Sequence, residues 1–331
     1  KALSLALLNY FRVLARLQLR KNNPIIVGVT GSAGKTTMMH AIHAVLQEKY
    51  VVKISEKANS QSGLSLNILG LDPHSFSLLD WLRMALLAPI KLATNWEKYQ
   101  LYIAEMGIDS PDEPANMEYL LKILRPQIGV FSSLTLVHAE AFDHLVTERD
   151  VKKKAVALMA EIAKEKAKII TRLPATGTAV FNGDDPIIRA ACTSTQAAQT
   201  SFGTNSSSAV RLLKTSWQAQ GTSFVLRHHK QEATIRLEKY LLPEHYGLSF
   251  AGSAAVGSAL GVSLAEAARG IEKHFTLPPG RATLIKAINN ATILDGSYNS
   301  APEPVLDFLD LLQPLKSERS RQNGRVLGLL G

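Results

Sequence analysis

Residues 24–37 read PIIVGVTGSAGKTT, an apolar strand pattern that runs into a glycine-rich turn and then opens a helix. Gly31 and Gly34 let the backbone approach an anion closely, so that amide N–H groups and the helix N-terminus can hold phosphate. Lys35 is placed to reach the terminal phosphates of a nucleotide, and the Thr36 hydroxyl is placed to bind magnesium. The pattern is TGxxGKTT rather than GxxxxGK[ST], because the first glycine of the latter is missing. The ATP-binding residues that this loop predicts are Thr30, Gly31, Ser32, Ala33, Gly34, Lys35, Thr36 and Thr37.

On either side of this loop, short apolar runs alternate with helical patterns, which is typical of a parallel sheet covered by helices. The runs VVKIS (51–55), LYIAEM (101–106) and IGVFSS (128–133) predict buried strands. The runs TSFVLRHH (222–229) and ATIRLEK (233–239) alternate in polarity and predict an antiparallel edge. The sequence therefore predicts an α/β fold, a central P-loop ATPase domain whose mostly parallel sheet has an antiparallel edge.

Composition limits the classes of protein that this chain can be. Its 331 residues, 46% hydrophobic and 20% charged, suit about two globular domains and exclude wholesale disorder. The single cysteine, Cys192, cannot form an internal disulfide, so we expect a reducing, cytoplasmic location. The net charge of +9 suits an anionic ligand, but the basic residues are spread along the chain without interleaved aromatic residues. We therefore expect a nucleotide ligand and no nucleic-acid partner.

The first 21 residues, KALSLALLNYFRVLARLQLRK, combine an apolar run with Arg12, Arg16 and Arg20 at helical spacing. The segment is too short and too interrupted by charge for a spanning helix, and it lacks the cleavage site of a signal peptide. Two interpretations remain open. Residues 1–21 form a helix that packs on the domain with one basic stripe, or they make a peripheral contact with a membrane interface.

Five further motifs follow the phosphate loop. They are NSQSGLSLNILG (59–70), AEMG (104–107), EIAKEKAKIITRLPATGTAVFNGDDP (161–186), LPEHYGLSFAGSAAVGSALG (242–261) and LDGSYNSAP (294–302). In this order they resemble the motifs of the Mur ligase family, and most closely those of its MurF branch. Members of that branch add D-alanyl-D-alanine to a UDP-linked muramoyl peptide.

The resemblance implies a magnesium site and a substrate site. Glu105, at the end of a predicted strand beside the phosphate loop, matches the magnesium-binding glutamate of the family, which agrees with the chemistry of oxygen ligands. Thr36 completes that site, and His138 in SSLTLVHAEAF matches a histidine that helps bind a second magnesium ion. Asn59 and Ser60 match residues near the magnesium and the muramoyl substrate.

The family also carries a lysine whose carbamylation turns a cation into a carboxylate-like magnesium ligand. The match of residues 161–186 points to Lys166. The interval from His138 to Lys166 is longer than is usual in the family, and Lys152, Lys153 and Lys154 lie nearer the usual spacing. Lys166 is the preferred candidate, because its neighbours Ile162, Ala163, Ile169 and Ile170 offer an apolar face that could desolvate the amine.

The remaining motifs imply contacts with ATP. PPGR ends at Arg281, which matches an arginine that approaches the γ-phosphate across a domain boundary. Serine at position 249 and glycine at position 296 replace an asparagine and an aspartate of the family, which puts some adenine and ribose contacts in doubt. The implied ATP-binding residues beyond the phosphate loop are Asn182, Asp185, His245, Arg281, Asp295, Tyr298 and Asn299.

Pro278, Pro279 and Gly280 interrupt regular secondary structure, which predicts a domain boundary at this point. We predict an N-terminal amphipathic helix over residues 1–22 and a central ATP-binding domain over residues 23–278. Residues 279–331 are predicted to begin a Rossmann-like C-terminal ligase domain that is truncated within the apolar run RVLGLLG.

The resemblance implies an ATP- and Mg²⁺-dependent, ADP-forming ligase that makes an amide bond through an acyl phosphate. The implied partners are a UDP-linked muramoyl peptide and an amine acceptor, D-alanyl-D-alanine. The catalytic candidates are Lys35, Lys166, His138 and Arg281. Two alternatives stay open: another ligase of the superfamily, such as a different Mur enzyme or a folylpolyglutamate synthetase, and a nucleotide-binding paralogue without catalysis.

Overall fold

The computed structural model describes residues 2–75, 77–136, 139–218, 221–238, 240–277, 280, 283–288, 291–297, 306 and 309–311. Four of the predicted site residues lie outside the described residues, as does the C-terminal run RVLGLLG; these four are His138, Arg281, Tyr298 and Asn299.

The centre of the molecule is a nine-stranded sheet with the strand order β2-β3-β1-β4-β5-β6-β7-β8-β9. Its strands are β1 (Ile25–Thr30), β2 (Val52–Ile54), β3 (Leu101–Glu105), β4 (Ile128–Phe131), β5 (Thr178–Asn182), β6 (Ala198–Gly203), β7 (Val210–Gln218), β8 (Gly221–His228) and β9 (Gln231–Leu237).

Most of the sheet is parallel, and one edge is antiparallel. The pairs from β2 through β6 are parallel, and β7 joins β6 in the same sense. The pairs β7–β8 and β8–β9 are antiparallel. This arrangement confirms the α/β fold with a mostly parallel sheet and an antiparallel edge that the sequence predicts.

Helices cover both faces of this sheet. They are α1 (Ala2–Asn22), α2 (Lys35–Leu46), α3 (Gln61–Leu69), α4 (Leu78–Thr94), α5 (Met117–Ile123), α6 (Val151–Thr171), α7 (Pro186–Cys192), α8 (His245–Ala259) and α9 (Leu264–His274), with a 3₁₀ helix at Ala139–Leu145. One hydrophobic core joins the sheet to α2, α8 and α9, and a second joins the opposite face to α1 and α3 through α7. Covering both faces is what a parallel sheet requires.

Side-chain caps fix where the helices near the phosphate loop begin. The Ser60 hydroxyl accepts a hydrogen bond from the Gly63 N–H at 3.3 Å and starts α3. The Asp150 carboxylate accepts one from the Lys153 N–H at 2.9 Å, so α6 begins at Val151, where the lysine-rich helical pattern begins. Helix α6 continues to Thr171, three residues beyond the end that its sequence predicts at about Lys168.

Beyond α9, strands β10 (Thr283–Lys286) and β11 (Thr292–Asp295) pair as a separate antiparallel hairpin. The domain boundary near residue 278 and the Rossmann-like character of residues 279–331 stay predictions.

Two glycines allow α6 to press directly on the sheet. A Cβ atom on Gly28 would lie 2.9 Å from Ile169 Cδ1, and one on Gly129 would lie 2.5 Å from the Ile169 carbonyl oxygen. Because protein interiors are close-packed, no larger side chain fits between β4 and this turn of α6. The close approach places the preceding turn of α6, with Lys166, beneath the phosphate loop.

We expect Gly129→Ala to lower the free energy of unfolding by about 1–3 kcal/mol, because the added methyl group must push α6 off the sheet. Urea unfolding monitored by circular dichroism measures this change. Gly107→Ala is the comparison and should cost less, since its Cβ would lie 3.3 Å from the nearest atom, the Asn59 carbonyl oxygen, against 2.5 Å at Gly129. Equal stabilities of Gly129→Ala and the unmodified protein would show that the contact is not tight in solution.

Candidate active site

The phosphate loop lies at the carboxyl end of β1 and leads into α2. Gly34 has φ 71°, a left-handed conformation that favours glycine, and it turns the chain into the first residue of the helix. A Cβ atom on Gly31 would lie 2.2 Å from Ser132 Oγ, so this position also requires glycine. The N-terminal N–H groups of α2 point into the turn, where the helix dipole favours an anion.

The segment after β4 holds this loop in shape. The Ser32 N–H donates to the Ser133 carbonyl oxygen at 2.9 Å, and the Ala33 N–H donates to Ser133 Oγ at 2.9 Å. The Thr135 N–H donates to Ser32 Oγ at 2.9 Å. Sequence analysis did not assign these supporting residues a role. The available signal was position, because the segment leaves the sheet at the same edge as the phosphate loop.

A carboxylate meets the loop from the end of β3. The Thr36 hydroxyl donates to Glu105 Oε2 at 2.8 Å, and Asn59 Nδ2 lies 3.4 Å from Glu105 Oε1. The Glu105 N–H donates to Ser55 Oγ at 2.8 Å, which fixes the backbone of the glutamate. Glu105 is buried. The structure thus brings the predicted metal ligands Thr36 and Glu105 together with the predicted substrate residue Asn59.

These groups fit a magnesium ion. Mg²⁺ in nucleotide sites takes one or two protein oxygens and completes its shell with phosphate and water, and a hydroxyl beside a carboxylate supplies such oxygens. Among the residues described, no group of three or more His, Cys, Asp or Glu side chains could hold a metal by itself. The Thr36–Glu105 pair therefore needs the nucleotide to complete a coordination sphere.

Two lysines lie beside the loop, Lys35 half-buried and Lys166 buried. Lys35 Nζ donates to the Ser32 carbonyl oxygen at 3.2 Å. Burial lowers the pKa of Lys35, and the negative charges of Glu105 and Asp109 partly raise it again. Lys166 is 4% exposed, and its Nζ donates to the Gly31 carbonyl oxygen at 3.2 Å.

The electrostatics of Lys166 follow from this position. The pKa of Lys166 is lowered to about 8, first by burial and then by the neighbouring charge of Lys35. The charge of Asp109 acts in the opposite direction. At neutral to mildly basic pH a substantial share of this amine is neutral. A neutral amine is a nucleophile, so Lys166 has the property that carbamylation demands.

The competing lysines have a different environment. Lys152 and Lys153 are exposed on the first turn of α6, and Lys154 pairs with Asp143 at 2.9 Å. The first two side chains are exposed to water, and the third lies beside a carboxylate on the surface. The burial of Lys166 supports it as the candidate, and its modification stays a prediction.

One cavity of about 130 Å³ joins these parts. Its lining residues are Ser32, Lys35, Asn59, Ser60, Gly107, Ile108, Asp109 and Lys166. The Gly107 N–H donates to the Asn59 carbonyl oxygen at 2.9 Å, which holds the asparagine loop against the end of β3. Sequence analysis missed Asp109, whose charge acts on both lysines. The signal that could have found it is its position four residues after Glu105, in the same loop.

The FNGDDP motif forms a tightly bonded turn after β5. Asp185 caps α7 by accepting hydrogen bonds from the N–H groups of Ile187 and Ile188 at 2.8 and 3.0 Å. Asn182 Oδ1 accepts from the Asp184 N–H at 3.0 Å. These side chains support the turn, and the roles of Asn182 and Asp185 in ATP binding stay predictions.

The other predicted ATP contacts lie on α8 and on the hairpin. His245 begins α8, where its ring lies 4.8 Å from that of Tyr246. One turn later Ser249 faces the phosphate loop, since a Cβ atom on Gly34 would lie 4.0 Å from Ser249 Oγ. Asp295 ends β11, and hydrogen bonds from the Ser297 side chain and then from the Ser297 N–H, the latter at 3.1 Å, lower the pKa of its carboxyl group. The roles of His245 and Asp295 stay predictions.

Residues 29–247, more than half of the chain, match the model of the Mur ligase middle domain. The chain belongs to the Mur ligase family. Two curated relatives are UDP-N-acetylmuramoyl-tripeptide--D-alanyl-D-alanine ligases, that of Bacillus subtilis at 24% identity and that of Haemophilus influenzae at 25%. The alignments cover 92% and 91% of this chain but 56% and 57% of the relatives, so this Mur ligase chain spans little more than half their length.

Solved structures show the same fold. MurF ligase from Thermotoga maritima, in complex with ADP, matches with a TM-score of 0.69 at 21% identity, over 92% of this chain and 60% of that one. The apo form of L. casei FPGS matches with a TM-score of 0.60 at 15% identity, over 93% and 76% of the two chains. The Mur ligase chain therefore shares its fold with both types of structure.

The pKa of Lys166 predicts a pH dependence of stability. Its folded value of about 8 lies below the ordinary 10.5, so between these values the unfolded chain binds more protons and stability rises with pH. We expect Lys166→Met to remove this rise, which amounts to about 3 kcal/mol across the window. Urea unfolding in carbonate-free buffers over this range measures it. The control Lys152→Met should keep the rise; its loss in the control, or its persistence in Lys166→Met, would contradict the assignment.

Proposed function

We propose that this chain is the ATP-binding core of an ADP-forming ligase that makes an amide bond through an acyl phosphate. The observation that carries the proposal is the single cavity in which the phosphate loop, Lys35 and Lys166 meet the substrate candidates Asn59 and Ser60 beside the Thr36–Glu105 pair. A loop that binds only nucleotide does not need a second buried amine and an asparagine loop at the terminal phosphates.

The proposed substrates come from the relatives. Both curated relatives are named as ligases of UDP-N-acetylmuramoyl-tripeptide and D-alanyl-D-alanine. We infer a UDP-linked muramoyl peptide as the carboxylate donor and D-alanyl-D-alanine as the amine acceptor. Such a reaction serves peptidoglycan precursor synthesis. The location that the sequence predicts, the cytoplasm, fits an ATP-consuming enzyme whose Cys192 thiol is buried and free.

In the first step, a carboxylate oxygen of the donor attacks the γ-phosphorus of ATP. An O–P bond forms, the bond to the bridging oxygen breaks, and ADP leaves. Because both reactants are anions, the Lys35 ammonium must offset their repulsion, together with the N-terminus of α2. Mg²⁺, held by Thr36 and Glu105, supplies further neutralisation of phosphate charge when it is bound.

Lys166 is proposed to act as a carbamate. The Lys166 ammonium first loses one proton; the neutral amine then adds to carbon dioxide and loses a second proton, so that a cation becomes an anion with two oxygen atoms. That anion would lie beside the phosphate loop, where it could serve as a metal ligand. His138, outside the described residues, is proposed to bind a second magnesium ion.

In the second step, the acceptor amine attacks the acyl carbon, an amide bond forms and phosphate leaves. Acyl phosphates react with water, so the site must close around this intermediate. Arg281 and the C-terminal domain are proposed to close the site, and Arg281, Asp295, Tyr298 and Asn299 are proposed to bind ATP. Asn182, Asp185 and His245 are proposed to bind the nucleoside part of ATP.

Two other functions remain in competition. The fold shared with FPGS favours a different ligase of the superfamily as the second candidate. Ser249 faces the phosphate loop where the family has asparagine, which favours a nucleotide-binding paralogue. Phosphate release that depends on both the muramoyl peptide and D-alanyl-D-alanine supports the first proposal. Phosphate release with other acids and amines supports a different ligase of the superfamily. ATP binding without turnover supports a nucleotide-binding paralogue.

We expect Lys35→Ala to reduce phosphate release by about 100-fold or more, since it removes the charge that offsets the meeting of two anions. The full-length protein and a coupled phosphate assay provide the measurement. Lys164→Ala, an exposed lysine on α6, is the matched control and should keep full activity. A folded Lys35→Ala protein with near-normal turnover would remove the phosphate-loop interpretation.

We expect Lys166→Ala to lose ligase activity and to regain part of it when acetate is added, because a small carboxylate can occupy the space of the missing carbamate. Ligation rates at increasing acetate concentration measure the rescue. The controls Lys152→Ala and Lys153→Ala should stay active without acetate. Rescue of one of these controls, with Lys166→Ala fully active, would transfer the role to the first turn of α6.

A further inference from the structure

The outer face of α4 is apolar along its length. Leu78, Leu82, Leu86 and Ile90 recur every four residues and so form one stripe on the helix, with Leu79 beside them. These five side chains are 53–78% exposed. A soluble helix normally turns such a stripe toward the core. In α4 the core side is instead formed by a separate set of residues, Asp80, Met84 and Ala88.

Helix α1 extends this apolar surface. Tyr10, Val13 and Leu17 are 38–53% exposed and lie on the outer side of α1. Tyr10 Oη donates to the Ala85 carbonyl oxygen at 2.9 Å, which ties the two helices together along their length. We call the surface formed by Tyr10, Val13 and Leu17 of α1 and by Leu78, Leu79, Leu82, Leu86 and Ile90 of α4 the α1–α4 face.

Cations border the α1–α4 face. Arg12, Arg16 and Arg20 form a row on α1, one turn apart, and Arg125 follows α5 beside them. Burial, and then the charges of Arg125, Arg20 and Arg12, lower the pKa of Arg16, so these guanidinium groups lie close enough to repel one another. Within the described part of the chain, no carboxylate forms an ion pair with any of the four.

The far end of the same surface carries an aromatic side chain and another cation. Trp96 is 70% exposed, and Lys21 Nζ lies 4.1 Å from its ring centroid. Tryptophan and lysine are typical of the boundary between lipid and water, where the indole ring sits at the level of the headgroups.

We propose that the α1–α4 face docks on the surface of an anionic lipid bilayer. The charge pattern favours this occupant, because clustered arginines without carboxylates repel one another and need external anions. An apolar stripe beside such a row matches a helix lying in the plane of the interface, with its apolar side among the acyl chains. The proposal takes up the membrane contact that was one of the two open interpretations of residues 1–21 and extends it to α4, and it does not rest on the proposed ligase activity.

The contact is peripheral in this proposal. None of the helices in the described part of the chain has the length and apolar character needed to cross a membrane. Helices α1 and α4 cover one face of the sheet, whereas the phosphate loop lies at the carboxyl edge of its parallel strands. Docking through the α1–α4 face therefore leaves the cavity beside Lys35 open to its substrates.

Vesicle flotation tests the proposal on the full-length protein without nucleotide or substrates. We expect the protein to float with vesicles of phosphatidylglycerol and phosphatidylcholine, and to float much less with phosphatidylcholine alone. High salt should weaken the binding, because screening shortens the reach of the arginine charges. Absence of binding to both kinds of vesicle, or equal binding to both, would overturn the proposal.

Variants locate the surface. Replacing Leu82 and Leu86 together by glutamate should reduce binding to the anionic vesicles about tenfold or more, and Arg16→Gln with Arg20→Gln should reduce both binding and its salt dependence. The matched control is Val151→Glu with Val156→Glu, at exposed positions of α6 that are 82% and 64% exposed, which should bind as the unmodified protein does. Circular dichroism and thermal unfolding establish that each variant is folded.

Sedimentation velocity separates the other occupant, a second copy of this chain. We expect the unmodified protein to show no concentration-dependent dimer that depends on Leu82 and Leu86. The sedimentation of the unmodified protein and of the Leu82 and Leu86 variant should therefore agree. If the unmodified protein forms such a dimer and does not bind vesicles, the α1–α4 face serves self-association instead. None of these experiments measures ligase activity. A negative vesicle result therefore says nothing against the proposed function, and a failed ligase assay says nothing against membrane docking.

Discussion

The ammonium group of Lys166 is buried 3.2 Å from the Gly31 carbonyl oxygen, close enough to Lys35 for the two charges to repel. Burying a charge is costly unless an opposite charge compensates it, and Asp109 offsets only part of the cost. Under the proposed function, bound phosphate would compensate this buried charge, or conversion of the Lys166 amine into a carbamate would remove it. A Lys166 anion would repel phosphate unless a cation lay between them, which is the place proposed for Mg²⁺.

The geometry of the sheet brings the other groups of the candidate site close to Lys166. Parallel strands end at one edge, and that edge collects the phosphate loop from β1, Glu105 from β3 and the serine-rich segment from β4. Helix α6 reaches the same place from below, because Gly28 and Gly129 let it approach the sheet closely. Residues more than a hundred positions apart therefore line one small cavity. A parallel sheet commonly binds its ligand at this edge.

The two faces of the sheet carry different surfaces. Helices α8 and α9 bury small and apolar side chains against α2, and Gly252 and Gly270 allow close approach there. On the opposite face, α1 and α4 bury only part of their apolar surface and leave the rest exposed. The two faces therefore differ in how much apolar surface they leave exposed.

The sequence by itself determined the α/β fold, the glycine-rich turn between β1 and α2, and the antiparallel edge, because strand periodicity, glycine spacing and turn residues are local signals. It also ranked Lys166 first, since apolar neighbours on one helix can be read from its pattern. Only the tertiary structure decided that Asp109 faces both lysines, that Ser133 braces the phosphate loop and that Asp185 caps a helix. It alone showed that the stripe on α4 points outward, since burial depends on distant parts of the chain. Contacts between residues far apart in sequence leave no local pattern, and they set both the electrostatics of the cavity and the surface that α1 and α4 share.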